Sequence, residues 1–241
     1  MLIAHQIEKR VLSIRKDKVF SAIDLGFPYN WYDNVRIKLG RMEKQGLIVK
    51  VSRGKYYRPK QTIFGKLQPT SEEIIKDLLY KNGKTIGYLT GYDIWHKMGL
   101  TSQISSMIEI GTNQHRNKKE RGNYKISFVI QPNPISRANI HLLQILDAVK
   151  SVRKIPDTNI NDTVVRLIEL ISERSSNEIK KLAQLAEQYT PQVRALTGAI
   201  LELIGYQPFA DQLRMTLHPS TSYKMDISKK VLPNHKNWNI V

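Results

Sequence analysis

Residues 30–59 read NWYDNVRIKLGRMEKQGLIVKVSRGKYYRP, and their pattern decides how the first part of the chain folds. Trp31, Val35, Leu39 and Met42 recur at offsets of 0, 4, 8 and 11, which places four apolar side chains on one face of a helix. Gly46 follows as a C-terminal stop. Beyond it Leu47 to Ser52 alternate and are rich in β-branched residues, Arg53-Gly54-Lys55 is a turn, and Tyr56-Tyr57-Arg58 opens a second strand that Pro59 ends. The stretch therefore predicts a helix over about Asn30 to Gln45 followed by a hairpin with a basic tip.

Working outward, Ile3, Ile7, Val11 and Ile14 repeat the same offsets and predict a first helix, with His5, Glu8, Lys9 and Arg10 mostly turned away from its apolar face. Val19, Phe20 and Ile23, ending at Leu25-Gly26-Phe27-Pro28, predict a short second helix and a turn. Three helices and a hairpin make a winged helix-turn-helix, expected over residues 1–66, whose third helix enters the major groove of DNA while the wing grips phosphates.

Opposite the apolar stripe of the third helix lie Asn30, Asp33, Ile37, Arg41 and Lys44, flanked by Asn34 and Lys38 on one side and Arg36 on the other. Amides and arginines pair with base edges, and Ile37 suits a thymine methyl. The expected DNA contacts are thus Asn30, Asn34, Arg36, Ile37, Lys38, Arg41 and Lys44 from the helix, with Arg53, Lys55 and Arg58 from the wing. Gly40 in mid-helix costs about 1 kcal/mol relative to Ala, and close packing or close approach is the reason the sequence suggests. The bland alternative is a winged helix used for protein contacts, its cations a solvated surface.

Charge supports the DNA reading. Of 241 residues, 38 are Lys or Arg and 21 Asp or Glu, a formal +17 that predicts attraction to polyanions. Positions 1–68 hold 15 basic and 5 acidic residues, so this first stretch carries +10 of that excess. With 41% apolar residues the chain can build ordinary cores, and its length suggests two modest domains. The absence of cysteine excludes disulfides, thiol nucleophiles and cysteine zinc sites. No apolar run approaches a membrane span, and the start lacks a signal-peptide pattern, so the expectation is a soluble, cytoplasmic protein.

Gly65, Pro69 and Thr70-Ser71 mark an expected linker within Lys60 to Ser71, leaving residues 67–241 as a second domain. There Ser71 and Glu72 open a helix, and Thr85–Thr90, Met107–Thr112 and Tyr124–Ile130 suggest a small sheet within about 85–130, with a short helix at Tyr92–Met98. A basic loop from Asn113 to Gly122 carries Arg116, Lys118, Lys119 and Arg121, as ready to touch phosphate or an acidic partner as to be a solvated turn. From about 139 to 217 the period becomes helical, predicting four packed helices and a further short one, before a tail over 218–241. The fold class expected is α+β, mainly helical.

Catalytic signatures are nearly absent: no phosphate-binding glycine loop, no nucleophile elbow, and no two histidines at a ligand spacing, so neither metal nor cofactor nor enzymatic turnover is expected. His96 and His141 read as surface or core-edge residues, and Asp93 and Asp147 as single carboxylates without an evident partner.

Thr90-Gly91-Tyr92, followed by His96 and Met98-Gly99-Leu100-Thr101-Ser102-Gln103, resembles a stretch of the antitoxins of bacterial abortive-infection toxin-antitoxin systems of the AbiE type, with Ser102 where that family usually has threonine. The resemblance continues in Leu143-Gln144-Ile145-Leu146-Asp147-Ala148, in Lys154-Ile155-Pro156-Asp157-Thr158, and from Leu232 to Ile240. It implies a non-enzymatic protein with two jobs: the N-terminal domain represses its own operon, and the C-terminal domain helps neutralise a nucleotidyltransferase toxin encoded beside it, with or without a stable complex. Its expected partners are operator double-stranded DNA, at two copies per operator, and that toxin. The competing expectation is a one-component winged-helix regulator whose helical domain senses a small ligand.

Overall fold

The computed structural model describes residues 3–63 and 65–241. In chain order these form helix α1 (Ile3–Ser13), strand β1 (Val19–Ser21), helix α2 (Tyr32–Lys44), strands β2 (Val49–Ser52), β3 (Lys55–Tyr57), β4 (Lys60–Thr62) and β5 (Gly65–Leu67), and helix α3 (Ser71–Leu79). Strands β6 (Tyr80–Lys81), β7 (Lys84–Thr85) and β8 (Tyr88–Thr90), helix α4 (Tyr92–Lys97), and strands β9 (Met107–Thr112), β10 (Lys119–Arg121) and β11 (Tyr124–Ile130) follow. Helices α5 (Ile140–Lys150), α6 (Ile160–Ser172), α7 (Ser176–Ala186), α8 (Pro191–Leu203) and α9 (Gln207–Arg214) complete the regular structure, with short 3₁₀ turns elsewhere. The class is α+β, mainly helical. Contacts divide the chain into two compact units, residues 1–78 with 118–126, and residues 79–117 with 127–241.

The first unit is built on the expected stripes. Ile7 and Val11 of α1 meet Val35, Leu39 and Met42 of α2, with Phe20, Leu25 and Ile48 closing the core. Helix α2 stops at Gly46, whose φ of +72° suits glycine, with Gly46 N–H donating to Glu43 O at 2.9 Å and Leu47 N–H to Met42 O at 3.0 Å. Strands β2 and β3 form the wing of an antiparallel sheet in the order β1-β3-β2.

Two expectations change here. The short second helix is replaced by β1 and a single 3₁₀ turn at Ile23–Leu25. Val19 and Phe20 pair with Tyr57 and Tyr56 of β3, a distant strand that local periodicity does not register. The expected linker contains the β4–β5 hairpin, in which Lys60 faces Leu67 and Thr62 faces Gly65, so a boundary at residue 66 would fall inside it. The first unit runs on through most of α3, because α3 buries Ile74, Ile75 and Leu78, and it takes in the β10–β11 turn, whose Gly122 N–H donates to Val51 O of β2 at 3.0 Å.

In the second unit, β8 pairs antiparallel with β9 (Tyr88 opposite Gly111, Thr90 opposite Glu109). Helix α8 is buried almost all round, as a central helix must be apolar on every side. Helix α7 opens with a capping box between Ser175 and Glu178, and Pro191 sits in the first turn of α8. The tail folds back on the bundle: Trp238 lies over Gly198, and its Nε1 donates to Glu202 at 2.8 Å, a carboxylate that also accepts from Arg214 and Asn234.

Asp147, read from sequence as a single carboxylate without an evident partner, is buried at the centre of a polar network. It accepts from Tyr88 Oη at 2.6 Å, Thr90 Oγ1 at 2.9 Å and Tyr189 Oη at 2.8 Å, and Gln131 Nε2 donates to both tyrosine oxygens at 2.7 Å. Burial pushes its carboxyl up, against the opposing effect of those hydroxyl donors.

Candidate nucleic-acid interface

Asn34, Arg36, Ile37, Arg41 and Lys44 all project from the exposed side of α2, and Asn30 is exposed in the 3₁₀ turn that leads into it. Ile37 is 55% exposed beside these polar groups. Between α2 and the wing runs a cleft of about 1010 Å³ lined by Asp33, Arg36 and Ile37 from the helix and by Lys50, Arg53 and Tyr56 from the wing. Three cations against one carboxylate line it, so the concavity is positive and open to a polyanion.

Lys38, Lys55 and Arg58 are placed differently from the sequence expectation. Lys38 turns from the exposed face and pairs with Glu8 of α1 at 2.6 Å, which holds the Glu8 carboxyl below its ordinary value. Lys55 pairs with Asp77 of α3 at 2.9 Å. The Arg58 guanidinium donates to the carbonyls of Leu12 and, at 2.6 Å, Ile14, satisfying oxygens that the end of α1 leaves without helical donors. Each of these cations has found an acceptor within its own unit, leaving Arg53 as the exposed expected cation of the wing.

The basic loop divides as well. Lys118 and Lys119 are exposed in the first unit, whereas Arg116 belongs to the second and lies over the Phe128 ring at 5.7 Å. Arg121 is buried, its fork donating to Asp77 Oδ1 at 2.5 Å, Asp77 Oδ2 at 3.0 Å and the Ile74 carbonyl at 2.7 Å. Burial alone would raise the Asp77 carboxyl, but Arg121 and Lys55 together hold it below its ordinary value. Arg121 therefore anchors the hairpin to α3 and offers nothing to an outside partner.

Sequence reasoning missed two residues of this surface. Lys50 lines the cleft, and the alternation Val49-Lys50-Val51 already points it away from the core. Tyr29, one residue before Asn30, is 89% exposed, and no periodic signal marks it.

The chain thus joins a unit of helices α1–α3 with a three-stranded sheet to a larger, mainly helical unit. The chain belongs to the family of unknown function DUF6088, whose model matches residues 6–181. No curated protein matches it. It is similar in fold to the RV2827C protein from Mycobacterium tuberculosis, whose crystal structure aligns with a TM-score of 0.60 at 12% identity over 92% of this chain and 84% of that one. Among the described residues, no helix is long and apolar enough to cross a membrane, and no cluster of His, Asp and Glu could hold a metal ion.

Proposed function

We propose that the protein is a DNA-binding autoregulator and antitoxin, which acts by binding and performs no turnover. The observation that carries the DNA half is the exposed face of α2 beside the positive cleft, where amides, Ile37 and Arg41 are free to read bases while Arg36, Lys50 and Arg53 meet phosphate. The antitoxin half comes from the resemblance of the second unit to AbiE-type antitoxins, and its counterpart is a nucleotidyltransferase toxin encoded alongside.

The test is a titration of the full chain against its own upstream DNA and a scrambled duplex of equal length, at two salt concentrations. Preference for the upstream DNA at the higher salt is the expected result, with Arg41→Ala relaxing the preference and Arg53→Ala weakening both duplexes. Equal, steeply salt-dependent binding to both would reduce the role of the +17 charge to attraction of polyanions. For the second half, a variant carrying Arg41→Ala and Arg53→Ala together is co-expressed with the neighbouring toxin. Protection of the cells without operator binding supports neutralisation by the second unit, and loss of protection overturns that division.

A further inference from the structure

Gly40 stands in the middle of α2, where glycine gives up more backbone freedom on folding than any other residue. Inside a protein such a glycine is explained by a positive φ or by a neighbour that leaves no room for a Cβ. Gly40 has neither: it is helical, and among the described residues a Cβ built on it meets no atom within 4 Å beyond the backbone of its own helix. The missing side chain therefore leaves the α2 backbone open to close approach from outside.

Its neighbours indicate the kind of object. Arg36, Gly40 and Lys44 are four residues apart and form one row along α2, on the side where Arg36 lines the wing cleft. The row has a cation at each end, about 12 Å apart along the helix axis, and no side chain between them. Asn34 and Arg41 fall on the other side of the exposed face, and Ile37, which also lines the cleft, lies between them and the row.

We infer that a DNA sugar-phosphate strand passes against the α2 backbone at Gly40, its phosphates held by Arg36 and Lys44, so that Asn34, Ile37 and Arg41 reach the bases. This role rests on the DNA-binding reading above, and it adds that the missing side chain sets how deeply the helix enters the groove.

The experiment compares Gly40→Ala, Gly40→Leu and Arg36→Ala with wild type in the full chain. Helix content, thermal unfolding and binding to the upstream and scrambled duplexes are measured for each. Gly40→Ala should raise the unfolding midpoint by about 2–4 °C while weakening both duplexes by roughly tenfold, with a larger loss for Gly40→Leu. A residue that mattered only to folding could not make the protein more stable and less able to bind. Wild-type affinity in both Gly40 variants, alongside a loss in Arg36→Ala, overturns the close approach and leaves the DNA reading standing. A loss confined to the upstream duplex overturns the assignment to the phosphate strand. A wild-type protein that binds neither duplex refutes the DNA reading itself. Gly40→Ala keeps the comparison valid if the leucine variant fails to fold.

Discussion

Replacing Arg121 by alanine separates two accounts of the same cation, a phosphate contact as the sequence suggests and a buried anchor as the structure places it. The substitution removes two hydrogen bonds to Asp77 and one to the Ile74 carbonyl. Breaking a buried ion pair from one side costs about 3–5 kcal/mol. Asp77 is 43% exposed on its side chain and keeps Lys55 at 2.9 Å, so water and that ammonium recover part of the loss. The expected destabilisation is about 2–3 kcal/mol. Arg121→Lys keeps the charge but lacks a fork that spans carboxylate and carbonyl, so about 1–2 kcal/mol is expected. Urea unfolding followed by circular dichroism reads both as a lower midpoint at unchanged slope. Because Arg121 is buried, the salt dependence of DNA binding should stay at the wild-type slope, whereas Arg53→Ala should reduce it by about 0.9. A stability loss under about 0.5 kcal/mol, or a slope change matching that of Arg53→Ala, would refute the anchoring role.

Asp147→Asn should cost about 1 kcal/mol, since the amide retains one accepting oxygen, whereas Asp147→Ala strands three hydroxyl donors and should cost about 3–5 kcal/mol; equal losses in thermal unfolding would count against the network. A Cβ on Gly198 would fall 2.2 Å from the Trp238 ring, so Gly198→Ala should displace the indole at a cost of about 1–3 kcal/mol and shift its fluorescence to the red. Unchanged emission would mean that the tail adapts without leaving. Glu178 accepts from the Ser175 backbone and hydroxyl and from the His141 ring, which hold its carboxyl at about 2 instead of 4.5. The stability it contributes is present above pH 4.5 and fades as pH falls through 2, so the unfolding midpoints of wild type and Glu178→Ala should converge in acid. A gap that stays constant with pH would refute the cap.

What the sequence disclosed is what short-range spacing controls. Trp31, Val35, Leu39 and Met42 announce α2, Gly46 its end and Arg53-Gly54 the wing, because each signal lies within a few residues of the structure it causes. Burial of polar groups does not work that way. Asp147 finds its donors at Tyr88, Thr90 and Tyr189, and Arg121 finds Asp77, all more than 40 residues away in sequence. Helical periodicity leaves Lys38 beside Met42 at the edge of the apolar stripe, where its long stem reaches Glu8 on a neighbouring helix. The exposed side of α2 was legible for the complementary reason: a residue left without a partner keeps the position that the helix alone gives it.

The insertion of residues 118–126 into the first unit sets the order in which the chain can be completed during synthesis. A ribosome that has added residue 78 has made α1, α2, the wing and nearly all of α3, but it has yet to make Arg121, the counter-charge for Asp77, or Gly122, which pairs with the wing edge. Those arrive 43 and 44 residues later, roughly 2–9 s at ordinary elongation rates. Until then the outer edge of β2 lacks its partner at Val51, an opening for mispairing with other nascent chains. For the same reason, no cut at a single peptide bond yields the complete first unit, so a transplanted winged helix from this protein would have to carry its late hairpin in the same polypeptide.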